Sequence, residues 1–354
     1  MTTSTAPAPA RRLPARAAHR IPAVDIARGI AVLTMFVAHV QPTLPTGALD
    51  LIAVAGGGER PRTLFAVVGG IALGLFVAST DRRGLSDREI RREIAVRGVA
   101  LIALGLVLQT MASGVAVVLD TWGVLFLIAL PVLRVRTPLL LAGAAAAVFA
   151  GSALAAALPI TARDELARNL VLNQLFEWAA IGQYPLLLWF GFLTIGFAIS
   201  RFPLRRRSTQ LLLLGGGAVL ALATLAPRAT GGPGERPLST ELLVHLGAIG
   251  AAVALIAALL LVTESASGWR RVTGAVLWPL QAVGAMPLTV YTAHVVALAV
   301  WRSSGGALAD TWLPFALLSA ASLVFASVWT ATLGQGPLER ALAALSRPRE
   351  PAGS

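Results

Sequence analysis

Ten apolar runs, each near the roughly 20 residues that an α-helix needs to cross a bilayer, follow one another along the chain with short polar connections between them. They fall at about 21–40, 62–79, 95–113, 115–133, 138–158, 181–200, 209–227, 241–262, 274–299 and 311–333. A chain written this way is expected to be an all-α polytopic membrane protein of about ten transmembrane helices. Composition agrees: the chain is 56% hydrophobic and 13% charged, with a mean hydropathy of +0.76, far from that of a soluble domain.

All 29 basic residues are arginine, and they are not spread evenly. The N-terminal segment, the connections after runs two, four, six and eight, and the C-terminal segment hold 21 of them, with Arg97 counted at the edge of run three. The five opposite connections hold 7, and only Arg28 lies inside a run. By the positive-inside rule both termini are cytoplasmic. Orientation therefore accounts for the net charge of +12, and no nucleic-acid partner is expected. Arginine without lysine, on a background of Ala, Leu and Gly, looks like the coding bias of a GC-rich bacterium, which places the chain in a bacterial cytoplasmic membrane among lipids. The sequence is compatible with an oligomer. With no cysteine there is no disulfide, thiol nucleophile or cysteine-held metal, and neither a metal site nor a bound cofactor is expected.

Three regions follow. Residues 1–20, rich in Ala, Pro, Thr and Arg, read as a disordered basic cytoplasmic tail. Residues 21–335 form the transmembrane domain, and residues 336–354 a cytoplasmic C-terminal tail. The run after residue 20 lacks a small-residue cleavage site, so it reads as a retained span rather than a signal peptide.

That first run, RIPAVDIARGIAVLTMFVAHV, carries Asp25, Arg28 and His39. Asp or Arg at the centre of a spanning helix costs roughly 2.5 to 3.5 kcal/mol on insertion scales, so such residues point to function. Arg28 and His39 return to within about 20° of the same face, roughly 16 Å apart along the axis. Asp25 lies one turn before Arg28. One stripe thus offers a carboxylate and a guanidinium near one membrane surface and an imidazole near the other. The plainer reading of Asp25 and Arg28 is an ion pair that neutralises itself. The same orientation puts Asp120, Glu241, His245 and His294 at the depth of His39, from three further spans, and His245 and His294 could each instead meet water or a carbonyl near a helix end. In residues 161–185, Glu165, Asn169, Asn173 and Glu177 recur every four positions, the mark of an amphipathic interfacial helix. Its polar face is either simply solvated or a rim for sugar hydroxyls.

VDIARGIAVLTMFVAHV resembles the opening of the transmembrane acyltransferase superfamily, which joins heparan-alpha-glucosaminide N-acetyltransferases, acyltransferase family 3 and a bacterial family of unassigned multi-pass proteins. Arg28 and His39 match its pattern of Arg, ten residues, His. TLFAVVGGIALGL at Thr63, RGVALIALGLVL at Arg97, YPLLLWFGFLTIGFAISR at Tyr184 and PLTVYTAHV at Pro287 look like later spans in the same order, and GPLER at Gly336 is similar to the tail motif of the unassigned branch. The histidine ends the span itself, as in acyltransferase family 3, rather than lying in the following loop.

The resemblance implies transfer of an acyl group, acetyl above all, from cytoplasmic acyl-CoA as co-substrate to an amine or hydroxyl of a sugar or glycan on the outer side. In that reading Arg28, with Asp25, supports the donor. His39 is the general base, because an imidazole of ordinary pKa, about 6.5, suits proton removal at neutral pH. Asp120 is the first candidate to orient it and Glu241 the second; His245, His294, Glu177 and Asn173 complete an outer site. Direct transfer and a transient acyl-histidine are both open. The competing reading is a non-catalytic proton-coupled transporter or lipid-handling protein.

The arginine count makes the topology testable. Single cysteines in this cysteine-free chain should be protected from a membrane-impermeant reagent at both termini and between Arg82 and Arg92, and labelled near Gly57; a labelled C-terminus in intact cells would break the ten-span arrangement.

Overall fold

The computed structural model describes residues 21–40, 58–157, 183–222, 237–264, 269–305 and 312–347. Among them the chain is helical throughout and forms no strand. The reason is the solvent: hydrocarbon gives backbone N–H and C=O groups no partner, so each segment must satisfy its own. The helices are α1 (Pro22–Val40), α2 (Glu59–Arg82), α3 (Asp87–Gln109), α4 (Leu119–Ala129, continued by a 3-10 turn to Val132), α5 (Thr137–Ala157), α6 (Leu186–Ile199), α7 (Arg207–Leu222), α8 (Leu238–Thr263), α9 (Trp269–Val276), α10 (Trp278–Ala285), α11 (Pro287–Ser303), α12 (Leu313–Thr332) and α13 (Pro337–Ser346).

A helix falls on each of the ten apolar runs, but they are not equal. Five are long and apolar enough to cross a membrane: α1, α2, α5, α8 and α12. A sixth is reached if α10 and α11, bent by 86° at Met286 and Pro287, count as one broken span. The described lengths of α4, α6 and α7 are shorter. Helix α3 begins at Asp87, ahead of its apolar run, because Ser86 builds a capping box: its hydroxyl accepts from the Glu89 N–H at 3.4 Å, and the Glu89 carboxylate accepts from the Ser86 N–H at 2.8 Å. Its first turns carry Asp87, Arg88, Glu89, Arg91 and Arg92. Residues 336–354, expected as a tail, contain α13, which packs against α3 and α11. Residues 1–20 lie outside the described residues.

Helix α1 is central. It packs on α2, α8, α10 and α12, and 67% of its apolar window is buried against 17% for α12. Leu139 and Phe149 on α5, Leu212 and Val219 on α7, and Leu317 and Val324 on α12 turn outward, as lipid-facing residues should.

Glycine sets two close helix crossings among the described residues. A Cβ on Gly70 of α2 would strike the Leu193 carbonyl of α6, and one on Gly196 of α6 the Val67 carbonyl of α2. Likewise a Cβ on Gly29 would meet the Leu280 carbonyl of α10, and one on Gly284 the Asp25 carbonyl of α1. Without a hydrophobic drive between helices in lipid, such backbone approach supplies the packing energy. At one end of the bundle Arg134 bridges Asp81 at 2.7 Å and Asp87 at 2.6 Å, tying the α2–α3 turn to the start of α5. Those two hydrogen-bonded carboxylates raise the Arg134 guanidinium above the ordinary arginine value.

Gly70→Val and Gly196→Val should each destabilise the folded protein by about 1 to 3 kcal/mol, the usual cost of overpacking, seen as a lower thermal unfolding midpoint in detergent. An unchanged midpoint would show that the α2–α6 crossing is loose.

Candidate functional site

The site grows from the α1 stripe. At one end, Arg28 Nη1 donates to Asp25 Oδ1 at 3.1 Å and to the Gly284 carbonyl at 2.9 Å. The second contact exists because Gly29 and Gly284 let α1 and α10 touch backbone to backbone. The Asp25 and Arg28 ion pair of the plainer reading is therefore present, with a carbonyl of a distant helix added to it.

At the other end the imidazoles of His39 and His294 face each other, Nδ1 to Nε2 at 3.0 Å, with ring planes 6° apart. One proton serves that bond, so one of the two nitrogens is N–H and the other bare. Where His39 Nδ1 donates, its Nε2 keeps a lone pair. His294 is 2% exposed and walled by Phe36 (ring centroids 4.7 Å apart) and by Tyr291, edge-on at 4.9 Å. His39 is half-buried. The side chain that meets His39 Nδ1 is thus His294, which was expected only as part of the outer site. Asp120 lies buried in the first turn of α4, where a Cβ on Gly105 of α3 would crowd its backbone.

Two cavities open along this stripe. One, of about 390 Å³, is lined by His39, Arg62, Gln183 and Tyr184 together with Val115 and Ala116. Arg62 stands at its rim, paired with Glu59 at 2.6 Å and donating to the Gln183 carbonyl at 3.0 Å. The other, of about 230 Å³, is lined by Arg28, Arg97 and Glu339 among apolar groups that include Trp122, Tyr291 and Leu342. Between them runs the short stretch entering α4: Ala116 faces the first cavity and Leu119 the second. The only two tyrosines of the chain both hold that stretch. The Tyr184 hydroxyl donates to the Ala116 carbonyl at 2.9 Å, and the Val118 N–H donates to the Tyr291 hydroxyl at 3.0 Å.

The profile of the catalytic domain of heparan-alpha-glucosaminide N-acetyltransferase matches residues 20–228, more than half of the chain. The chain belongs to that family. A second profile, described only as a protein of unknown function (DUF418), matches residues 197–347. No curated protein matches the chain. Arg28, His39, Asp120 and Tyr184 lie in the heparan-alpha-glucosaminide N-acetyltransferase match, whereas Tyr291, His294 and Glu339 lie in the second. The histidine pair therefore joins one residue from each.

The remaining expected residues stand elsewhere. His245 Nδ1 lies 2.9 Å from Ser152 Oγ, and that hydroxyl also reaches the Val148 carbonyl at 2.8 Å. A hydroxyl already donating to a carbonyl leaves the imidazole as donor, so His245 links α8 to α5. Glu241, one turn earlier on α8, is buried. Glu177 and Asn173 lie outside the described residues, as does the amphipathic segment that holds them. Sequence reasoning left Arg62, Gln183, Arg97 and both tyrosine hydroxyls out of the site. The signal was present for Tyr291, three residues before His294 and so on nearly the same face of α11.

Tyr291→Phe leaves the buried Val118 N–H without its acceptor and should cost about 1 to 3 kcal/mol of stability, measured by thermal unfolding in detergent. Tyr184→Phe should cost less, because the exposed Ala116 carbonyl can turn to water in the cavity. Equal stability of Tyr291→Phe and wild type would mean that Tyr291 does not hold the wall.

Proposed function

We propose that this protein is an integral membrane acyltransferase of a bacterial cytoplasmic membrane. It moves an acyl group, acetyl above all, from cytoplasmic acyl-CoA to an amine or hydroxyl of a sugar or glycan-type acceptor at the far side. The observation that carries the reading is His39, backed by His294, lining a polar cavity, with a second, arginine-bearing and largely apolar cavity behind the α4 entry.

The acceptor enters the cavity of His39, where Arg62, Gln183 and Tyr184 offer charge and hydrogen bonds suited to hydroxyl and amide groups. As its nitrogen or oxygen attacks the thioester carbonyl, its proton passes to His39 Nε2. His294 accepts from His39 Nδ1–H, so it keeps Nε2 bare before the attack and steadies the imidazolium after it, the part a carboxylate plays in a triad. The tetrahedral centre then collapses, the carbon–sulfur bond breaks, and the CoA thiolate takes the proton from His39. The donor occupies the cavity of Arg28 and Arg97, its acyl-pantetheine arm against Trp122, Phe65 and Leu101. Arg28 spends Nη1 on Asp25 and Gly284, which leaves Nε and Nη2 for a polar group of the donor. Thioester and acceptor meet only when the stretch from Ala116 to Val118 gives way, so the two tyrosine contacts also keep the acyl group from water.

The broken α10–α11 span favours a second reading, since discontinuous helices also build the substrate sites of secondary transporters. One experiment separates them. Purified protein in nanodiscs is given acetyl-CoA with a panel of amino sugars and lipid-linked glycans, and free CoA is scored. His39→Ala should lower transfer by roughly 10² to 10⁴, the range for losing a general base, with donor affinity nearly intact. Arg28→Ala should instead weaken donor binding. Full transfer by His39→Ala would remove it as the base, and solute flux in sealed vesicles without CoA release by the wild type would favour the transporter.

A further inference from the structure

The break between α10 and α11 poses a problem that neither helix solves. A helix end leaves up to four carbonyls or N–H groups without intrahelical partners, and in a membrane each one left unmet costs several kcal/mol. Pro287 removes one N–H from the start of α11. The next two are taken by Glu339, which belongs to α13 and lies about fifty residues further along the chain. Its Oε1 accepts from the Leu288 N–H at 2.8 Å and the Thr289 N–H at 3.1 Å, and its Oε2 accepts from the Thr289 hydroxyl at 2.6 Å. The Leu338 N–H returns a bond to Thr289 Oγ1 at 3.2 Å. On the other side of the break, Arg28 holds the Gly284 carbonyl of α10. An anion thus caps the helix N-terminus and a cation the helix C-terminus, each opposite in sign to the helix dipole end it meets.

The GPLER motif reads directly in these terms. Gly336 is needed because a Cβ there would strike the Glu339 carboxylate and crowd Met286 and Thr289. Pro337 opens α13, Leu338 and Glu339 grip α11, and Arg340 donates to the Gln335 carbonyl at 2.7 Å, which fixes the turn before α13. Helix α11 carries Thr289, Tyr291 and His294, so the cap lies five residues, about 7.5 Å of rise, from the imidazole that meets His39.

We propose that Glu339 is a positioning residue. By capping the broken end of α11 it sets the height and rotation of that helix, and through it the hydrogen bond of His294 to His39 and of Tyr291 to the α4 entry. For catalysis this rests on the acyltransferase reading; for the geometry of the histidine pair it does not. Glu339 also lines the cavity given to the donor, so the test must tell a positioning role from a donor contact.

The chain has four histidines, which makes ¹⁵N-histidine NMR of the full-length protein in nanodiscs practicable. The wild type should show the N–H···N coupling between His39 and His294. E339A should lose it, and its kcat for acetyl transfer should fall by about 10²-fold, the scale of a misplacement near 1 Å, with KM for acetyl-CoA within about twofold. T289V, which keeps the carboxylate and removes only the hydroxyl, should weaken the coupling and kcat in the same direction, and it carries the test if E339A does not fold. A raised KM with the coupling intact would make Glu339 a donor contact and overturn the proposal, as would a wild-type coupling that survives both substitutions. Coupling lost in E339A, from a wild type that releases no CoA with any acceptor, would retain the positioning role and discard the acyltransferase reading.

Discussion

A helix that breaks inside a membrane must have its exposed backbone groups met by something other than water, and the architecture around α10 and α11 answers that demand. Arg28 reaches the Gly284 carbonyl from α1, and Glu339 reaches the first N–H groups of α11 from α13. Both reaches depend on small residues. Gly29 and Gly284 let α1 and α10 meet, and Gly336 lets α13 enter beside Met286. Both charges are part-buried, and the break is what makes each of them more useful than a neutral side chain: a guanidinium and a carboxylate form stronger, charge-assisted bonds to a carbonyl and to N–H groups.

The consequence is a helix start placed where a continuous helix would not put it. An uninterrupted span from Trp278 to Ser303 would carry Tyr291 and His294 in a different direction from the one the 86° bend imposes. Bent, α11 delivers one hydroxyl to Val118 and one imidazole to His39. The two cavities are then separated by a stretch of backbone held from both sides. Phe65, Trp122, Trp189 and Tyr184 form a continuous set of edge and tilted ring contacts behind it, which gives the wall a stiff support. On the acyltransferase reading proposed above, such a wall would keep an activated acyl group dry until the acceptor arrives.

Arg28 illustrates how one residue can hold two duties. Its Nη1 is structural, joining Asp25 to the broken helix, and the residue also lines the cavity given to the donor. An ion pair that merely neutralises itself and a group that binds a ligand were alternatives in the sequence. In the acyltransferase reading proposed above, different nitrogens of the same guanidinium would serve the two.

Much of this was legible locally. The ten apolar runs each carry a helix, and the stripe of Asp25, Arg28 and His39 follows from the 3.6-residue period alone, since a helix fixes which of its own residues share a face. The membership of the family rested on residues read in order along the chain. What periodicity does not contain is the identity of the neighbour across that face. His294 lies 255 positions from His39, and Glu339 about fifty from the backbone it caps. Asp120, of suitable depth and chemistry, lies in the first turn of α4, whereas His294 meets His39. Those pairings were decided by which glycines allow close approach and by where α10 gives way to α11. The sequence by itself determined the apolar helices and the polar stripe, because both are properties of single helices. Only the tertiary structure decided the partners, because hydrogen bonds between helices depend on crossing geometry at the scale of one Cβ.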